Sequence, residues 1–286
     1  MIIPEQELAF VNRHGDTIYG TLTLPTAPTS RVPLIILLHG FKGFRNYSFL
    51  PWVAQYGANL NAAVLRICFS LNGMKNTSWL VQSTDDFARN TISRECDDAA
   101  DTIAAVELNE QFEMLRSIWD GTFSLIGHSR GGGIALIAAN ELQAVQPNRL
   151  RRVAVWNSVG TWFRWTPRQA AAWKEAGSFE MQNQRTMQML TMHASYVEDI
   201  ESSARRLDLV AACSNLNNKL RMIHAQHDLT VPLREIEQLA VEAGMSDNVH
   251  VLSNTTHTFN MEHPVNRITQ GLADAVATTF PWIISE

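Results

Sequence analysis

The chain is predicted to fold as a single α/β domain over residues 1–286, with a mostly parallel sheet covered by helices on both faces. Three observations predict it. Short, continuous apolar runs recur along the chain, helix-length stretches separate them, and one run passes through a glycine-rich turn straight into a small apolar segment. Strands buried on both faces read as unbroken apolar runs, and their alternation with helices marks parallel crossovers.

Glu7 to Leu24 holds two extended stretches around His14-Gly15-Asp16 and reads as an opening hairpin. Pro25 to Pro33, rich in Thr, Pro and Ser, is a connecting loop. Leu34-Ile35-Ile36-Leu37-Leu38 is then a central strand ending at His39-Gly40. Ala62 to Cys68, Phe123 to Ile126, Arg152 to Trp156, Leu220 to Ala225 and Val249 to Leu252 are strands of the same kind. Helices are expected over Phe49 to Leu60, Ser93 to Asn109, Gly131 to Leu142, Pro232 to Ala243 and Val265 to Phe280. Ser158 to Leu207 breaks the alternation, because it carries no strand-like run but holds Trp162, Phe163, Trp165, Trp173 and Phe179 amid polar residues. It reads as a helical lid inserted above the sheet. Its aromatics are read first as packing that holds the lid down and second as a pocket wall. An open sheet of this type carries its site at the carboxyl ends of the strands.

Gly127-His128-Ser129-Arg130-Gly131 stands at such an end, after Phe123-Ser124-Leu125-Ile126 and before Gly132-Gly133-Ile134-Ala135. A serine between two glycines at a strand-to-helix turn reads as a nucleophile lifted clear of the sheet, since flanking side chains would collide with the adjoining strand and helix. A serine hydroxyl needs a base, and the base needs a third group to orient it. Asp228, just past the strand ending near Ala225, is the candidate acid; His257, in the polar loop past the strand ending near Leu252, is the candidate base. The order is Ser, Asp, His. Asp228 also suits a turn former ahead of Pro232, and His227 and His263 are rival bases. His39, His128 and His224 are read as hydrogen-bonded structural histidines. The backbone N–H of Arg130, at a helix start, and that of Phe41, in the loop His39-Gly40-Phe41-Lys42-Gly43, are the candidate oxyanion donors.

Several function classes are disfavoured. The net charge is -5 and the Lys and Arg residues form no long basic block, so neither nucleic acid nor an anionic membrane is an expected partner. The 3 cysteines, Cys68, Cys96 and Cys213, are widely spaced and read as ordinary thiols. Asp85-Asp86 and Asp97-Asp98 lack a nearby histidine at ligand spacing and read as solvated or salt-bridged surface, so no metal is expected. Lys42 is not followed by Ser or Thr, which leaves a phosphate loop unsupported. The start Met1-Ile-Ile-Pro-Glu lacks the basic, apolar character of a secretory leader, and a cytoplasmic protein is the expectation. Oligomeric state, including a homo-oligomer, stays open.

Leu34-Ile-Ile-Leu-Leu-His-Gly-Phe-Lys-Gly, Gly127-His-Ser-Arg-Gly-Gly, His224-Ala-Gln-His-Asp-Leu-Thr-Val-Pro and Thr256-His-Thr-Phe together resemble the α/β-hydrolase superfamily, from about residue 8 to residue 283. Within it the chain resembles bacterial dienelactone-hydrolase-like serine esterases and peptidase-related hydrolases. The resemblance implies an eight-stranded, mostly parallel sheet, Ser129 as nucleophile, Asp228 as acid, His257 as base and an oxyanion hole at the amides of Phe41 and Arg130. Dienelactone hydrolases proper use cysteine where this chain has Ser129, and Ala225 stands where relatives commonly carry glycine.

The expected activity is cofactor-free hydrolysis of a small carboxylic ester through an acyl-enzyme. Amide or peptide cleavage, or acyl transfer to another acceptor, are alternatives on the same residues. A ligand-binding protein on a retired hydrolase fold is the alternative from a different class.

Overall fold

Asn12 closes the opening hairpin between β1 (Glu5–Val11) and β2 (Thr17–Thr23): its amide binds the Asp16 carbonyl at 2.9 Å and its side chain accepts from His14 and Asp16, while Gly15 takes φ +84°. A positive φ here is why glycine occupies the turn. The computed structural model describes residues 3–74 and 80–285. Met1 and Ile2, part of the start read above for a leader, lie outside the described residues.

The chain continues through β3 (Val32–Leu38), α1 (Leu50–Asn59), β4 (Ala63–Cys68), α2 (Thr84–Arg89), α3 (Ile92–Leu108), α4 (Glu113–Ile118), β5 (Trp119–His128), α5 (Arg130–Val145) and β6 (Leu150–Trp156). The lid then contributes α6 (Pro167–Ala176), β7 (Ser178–Gln182), β8 (Met189–His193) and α7 (Ser195–Ser202). After it come α8 (Leu209–Leu216), β9 (Leu220–Ala225), α9 (Leu233–Glu242), β10 (Val249–Leu252) and α10 (Gln270–Ile283). The main sheet has 8 strands in the order β1-β2-β4-β3-β5-β6-β9-β10. Pairing is antiparallel at β1·β2 and β2·β4 and parallel from β4 to β10, as the resemblance implies.

Every residue of β3 and β4 is buried, because helices cover both faces of the sheet. Two apolar clusters result. One packs α3, α5 and α8 beneath the lid against Leu34, Ile36 and Leu125; the other packs α1 and α10 against Ile35, Leu37 and Trp156. Alternate residues of β3 therefore feed opposite cores, as a strand's period of two requires.

The lid departs from the helical expectation. Its β7 and β8 form an antiparallel hairpin, Ser178 opposite His193 and Gln182 opposite Met189. The strands are short, half exposed and paired only with each other, so no continuous apolar run marked them. Two stranded ribbons are marginal alone. Here α6, capped by a reciprocal Thr166–Gln169 box, and stacking of Trp173 on Tyr196 at 5.8 Å support the hairpin.

The acidic pairs also divide. Asp97 lies at the rim, bonded to His14 and Arg206, whereas Asp98 faces inward and accepts from Asn12, Ser70 N and Ser70 Oγ. Reading Asp98 as surface is therefore corrected: one step along α3 turns a side chain about 100° from its neighbour, carrying it from rim to core. Burial pushes its carboxyl up to about 6, against the pull of those donors. The three cysteines are free and buried. No helix among the described residues is long and apolar enough to cross a membrane.

Candidate active site

Ser129 sits between the last residue of β5 and the first of α5 with φ +57° and ψ −123°. A non-glycine residue in this region is strained by roughly 1–3 kcal/mol, which the surroundings must hold in place. They do so by close backbone approach. A Cβ on Gly127 would lie 2.1 Å from the Gly131 carbonyl oxygen, and one on Gly131 would lie 2.4 Å from the His39 carbonyl oxygen. Ser129 N donates to the Trp156 carbonyl at 2.9 Å, tying the turn to β6. Gly40 abuts the serine itself: a Cβ there would fall 2.9 Å from Ser129 Cβ.

Asp228 follows β9 and is buried. Its Oδ1 accepts from the amides of Thr230 and Val231, each at 2.8 Å, which leaves Oδ2 for the His257 Nδ1 at 2.6 Å. Burial pushes the carboxyl up, but the hydrogen bond and charge interaction with His257, with help from Val231 N–H and His224, hold it below the usual carboxylate range. Its turn-forming role and its contact with the imidazole thus coexist. Of the histidines weighed as bases, His257 is the one hydrogen-bonded to Asp228. His227 is exposed, and His263 is engaged as the acceptor of Ser48 N–H at 3.1 Å.

The His257 carbonyl is fixed by two donors, His128 Nε2 at 2.8 Å and Asn157 Nδ2 at 2.7 Å. Asn157 Oδ1 accepts from Ala225 N at 2.7 Å, so this side chain ties the β9 exit to the His257 loop. Asn157 went unremarked in the sequence; its only signal is a polar residue just past the apolar end of β6, at the edge where the site lies. Burial, followed by the nearby His257, lowers His128 to about 3, so it stands neutral as a donor. Burial likewise lowers His39 to about 4; its Nδ1 donates to Gly40 O and its Nε2 accepts from Phe69 N–H. His224 Nε2 donates to Val231 O, 2.9 Å away. The structural reading of these histidines matches their bonds.

The rings of His128 and His257 are 4.8 Å apart, which brings His257 beside the elbow. No hydrogen bond joins Ser129 Oγ to His257. Such contacts are often long in a ligand-free site and tighten with substrate. The loop carrying Phe41 turns through Gly43 N–H···O Gly40 at 2.9 Å, with Lys42 at φ +56°. Among the described residues neither the Phe41 nor the Arg130 amide has a partner in the chain. The Arg130 side chain instead bonds the buried Glu95 and lies 4.3 Å over the Phe41 ring. Asn90 donates to the same Glu95 oxygen at 2.8 Å. Burial raises Glu95 against the pull of Arg130.

Above Ser129, sheet and lid enclose a cavity of about 640 Å³. Its walls include Phe41, Trp162, Trp165, Trp173, Phe179 and Tyr196. The lid aromatics therefore both pack and line the space, where packing alone was the first expectation. Trp162 and Trp173 have their indole N–H groups bound by the carbonyls of Leu207 and Met192 at 2.7 and 3.0 Å. Charged groups on the wall are paired, Arg130 with Glu95 and Arg164 with Glu235. Among the described residues no cluster of His, Cys, Asp or Glu could hold a metal ion.

Residues 12–231 match the family model described as "Putative esterase". No curated protein sequence matches the chain. Among solved structures, a protein from Agrobacterium vitis S4 described as "Putative hydrolase" is similar with a TM-score of 0.70 at 17% identity, covering 99% of this chain and 100% of that one. Est1E from Butyrivibrio proteoclasticus, also solved with ferulic acid bound, gives 0.66 at 14% identity over 97% of both chains. The acylaminoacyl peptidase of Pyrococcus horikoshii gives 0.64 at 14% identity over 98% of this chain and 41% of that one. These likenesses establish the fold as that of the α/β hydrolases.

Proposed function

The chain belongs to this esterase family, and from that premise we propose that it is a serine hydrolase cleaving a small carboxylic ester through an acyl-enzyme on Ser129. The observation that carries the reading is the 2.6 Å bond between His257 and Asp228, anchored on both sides, beside a strained serine whose neighbouring amides are free.

Ser129 Oγ attacks the ester carbonyl as His257 Nε2 takes its proton. Asp228 holds Nδ1–H, selecting the tautomer with Nε2 unprotonated and stabilising the imidazolium that forms. The carbonyl oxygen, now negative, accepts from the amides of Phe41 and Arg130, the latter strengthened by the dipole of α5. Collapse breaks the C–O bond, and His257 gives its proton to the leaving alcohol. Water, deprotonated by the same imidazole, then attacks the acyl-enzyme and frees Ser129.

The cavity supplies specificity. Its aromatic wall and paired charges favour a neutral, apolar or aromatic acyl group, and its volume lies within the range of small-molecule sites. The ferulic acid held by Est1E is an aromatic acid of that general kind. The test is turnover of p-nitrophenyl 3-phenylpropanoate by wild type and Ser129→Ala. A loss on the order of a millionfold in kcat is expected. Near-wild-type turnover by Ser129→Ala would remove the serine mechanism.

A further inference from the structure

Lys42 and Arg185 stand together outside the aromatic cavity, and neither has an acidic partner within ion-pair distance among the described residues. Arg185, at the tip of the β7–β8 hairpin, donates to the Lys42 carbonyl and lies 4.5 Å over the Tyr47 ring. Lys42 Nζ lies 5.4 Å over the Phe41 ring, which lines the cavity beside Ser129. The two arginines that line the cavity behave differently: Arg130 and Arg164 each face a carboxylate. Burial, then the charges of Arg185 and Arg130, lower the Lys42 ammonium from its ordinary value. Arg185 and Lys42, carried on a hairpin tip and a loop that touch, repel each other, and a bound anion would relieve that repulsion.

Their side of the site is set by His257. It does not line the cavity, yet it must protonate the leaving group, so that group departs outside the cavity while the acyl group lies within. The loop carrying His257 runs on to His263, whose ring is 5.1 Å from Tyr47, the residue on which Arg185 rests. Arg185 thus rests against the segment into which the His257 loop runs, and we take that segment as the leaving-group side.

We propose that Lys42 and Arg185 form a leaving-group subsite for an anion, so that the preferred substrate joins an apolar acyl group to an alcohol bearing a carboxylate or phosphate. Arg185 supplies a planar fork and Lys42 a point charge, a combination suited to either oxyanion. The subsite rests on the serine-hydrolase reading above, since it assigns the leaving-group side from the role given to His257.

The test compares the 4-nitrophenyl and 3-carboxy-4-nitrophenyl esters of 3-phenylpropanoate, each rate divided by that ester's hydroxide-catalysed rate to remove intrinsic reactivity. The kcat/KM ratio should favour the carboxylated ester roughly tenfold at low ionic strength and fall several-fold in 0.5 M KCl, as screening requires. Lys42→Gln with Arg185→Gln should bring the ratio near one, and Lys42→Glu with Arg185→Glu should invert it. A merely structural role would lower both rates and leave the ratio alone. A wild-type ratio near one, or a ratio that ignores charge reversal, overturns the subsite while leaving the esterase intact. The 3-phosphonooxy-4-nitrophenyl ester of 3-phenylpropanoate, compared in the same way, separates phosphate from carboxylate preference. Failure of wild type to turn over either nitrophenyl ester would strike the underlying serine-hydrolase reading instead.

Discussion

Gly40→Ala tests the oxyanion loop most sharply, because the added methyl meets the nucleophile rather than a flexible side chain. The new Cβ would lie 2.9 Å from Ser129 Cβ and 3.2 Å from the His128 carbonyl oxygen, whereas ordinary contact begins at 3.4 Å. Relief therefore requires loop and elbow to part by about 0.5 Å, the margin within which catalytic constellations must be held. The Phe41 amide moves with the loop. Losing one oxyanion donor costs roughly a hundred- to a thousandfold in kcat, so a fall of about a hundredfold is expected. Overpacking adds roughly 1–3 kcal/mol of destabilisation, which lowers Tm by only a few degrees in a chain of this size. Steady-state kinetics on the p-nitrophenyl ester and a thermal melt on the same preparation separate the two effects. A folded Gly40→Ala enzyme retaining a third or more of wild-type kcat would refute the placement of Phe41 N–H in the oxyanion hole.

Other substitutions carry comparable tests. Asp228→Asn keeps the acceptor for Thr230 and Val231 but offers an amide to His257, and should lower kcat about ten-thousandfold with the fold retained by circular dichroism. Asn157→Leu removes the donor to His257 O and leaves the buried Ala225 amide unpaired, so a loss of roughly 1–3 kcal/mol in urea melts should accompany reduced kcat. Glu95→Ala strands the Arg130 charge in the core, and urea denaturation should show a loss of roughly 3–5 kcal/mol. Asp98 has its pKa raised on folding to about 6, so the folded state holds a proton the unfolded chain has released. Its contribution to stability is full below about pH 4 and is lost as pH rises through about 6, by up to about 3 kcal/mol. Asp98→Asn should flatten the pH dependence of stability over that window; an unchanged slope would assign it to other groups.

The order of the candidate residues was legible because each follows a short run that reads as a strand of the sheet. Asp228 comes directly after β9 and His257 shortly after β10, and topology brings both strand ends to one rim. The elbow glycines were legible for a steric reason, which the 2.1 and 2.4 Å approaches bear out. Asn157 was not, since its importance lies in reaching two loops distant in sequence, His257 and Ala225. The β7–β8 hairpin escaped because its strands pair only with each other and present mixed polar and apolar residues to solvent. Asp98 escaped because an acidic pair reads as one solvated unit, whereas helical rotation sends its two side chains to different environments. The cation pair at Lys42 and Arg185 joins a loop and a hairpin tip far apart in the chain, and no local pattern announces it.

The central claim is that Ser129, His257 and two backbone amides converge on one carbonyl, and a crystal structure of the enzyme inactivated by a p-nitrophenyl alkylphosphonate tests it most directly. The account predicts phosphorus bonded to Ser129 Oγ, the phosphoryl oxygen within about 3 Å of the amides of Phe41 and Arg130, and His257 Nε2 facing the serine oxygen. An adduct on another residue, or a phosphoryl oxygen pointing away from both amides with His257 turned to solvent, would contradict it.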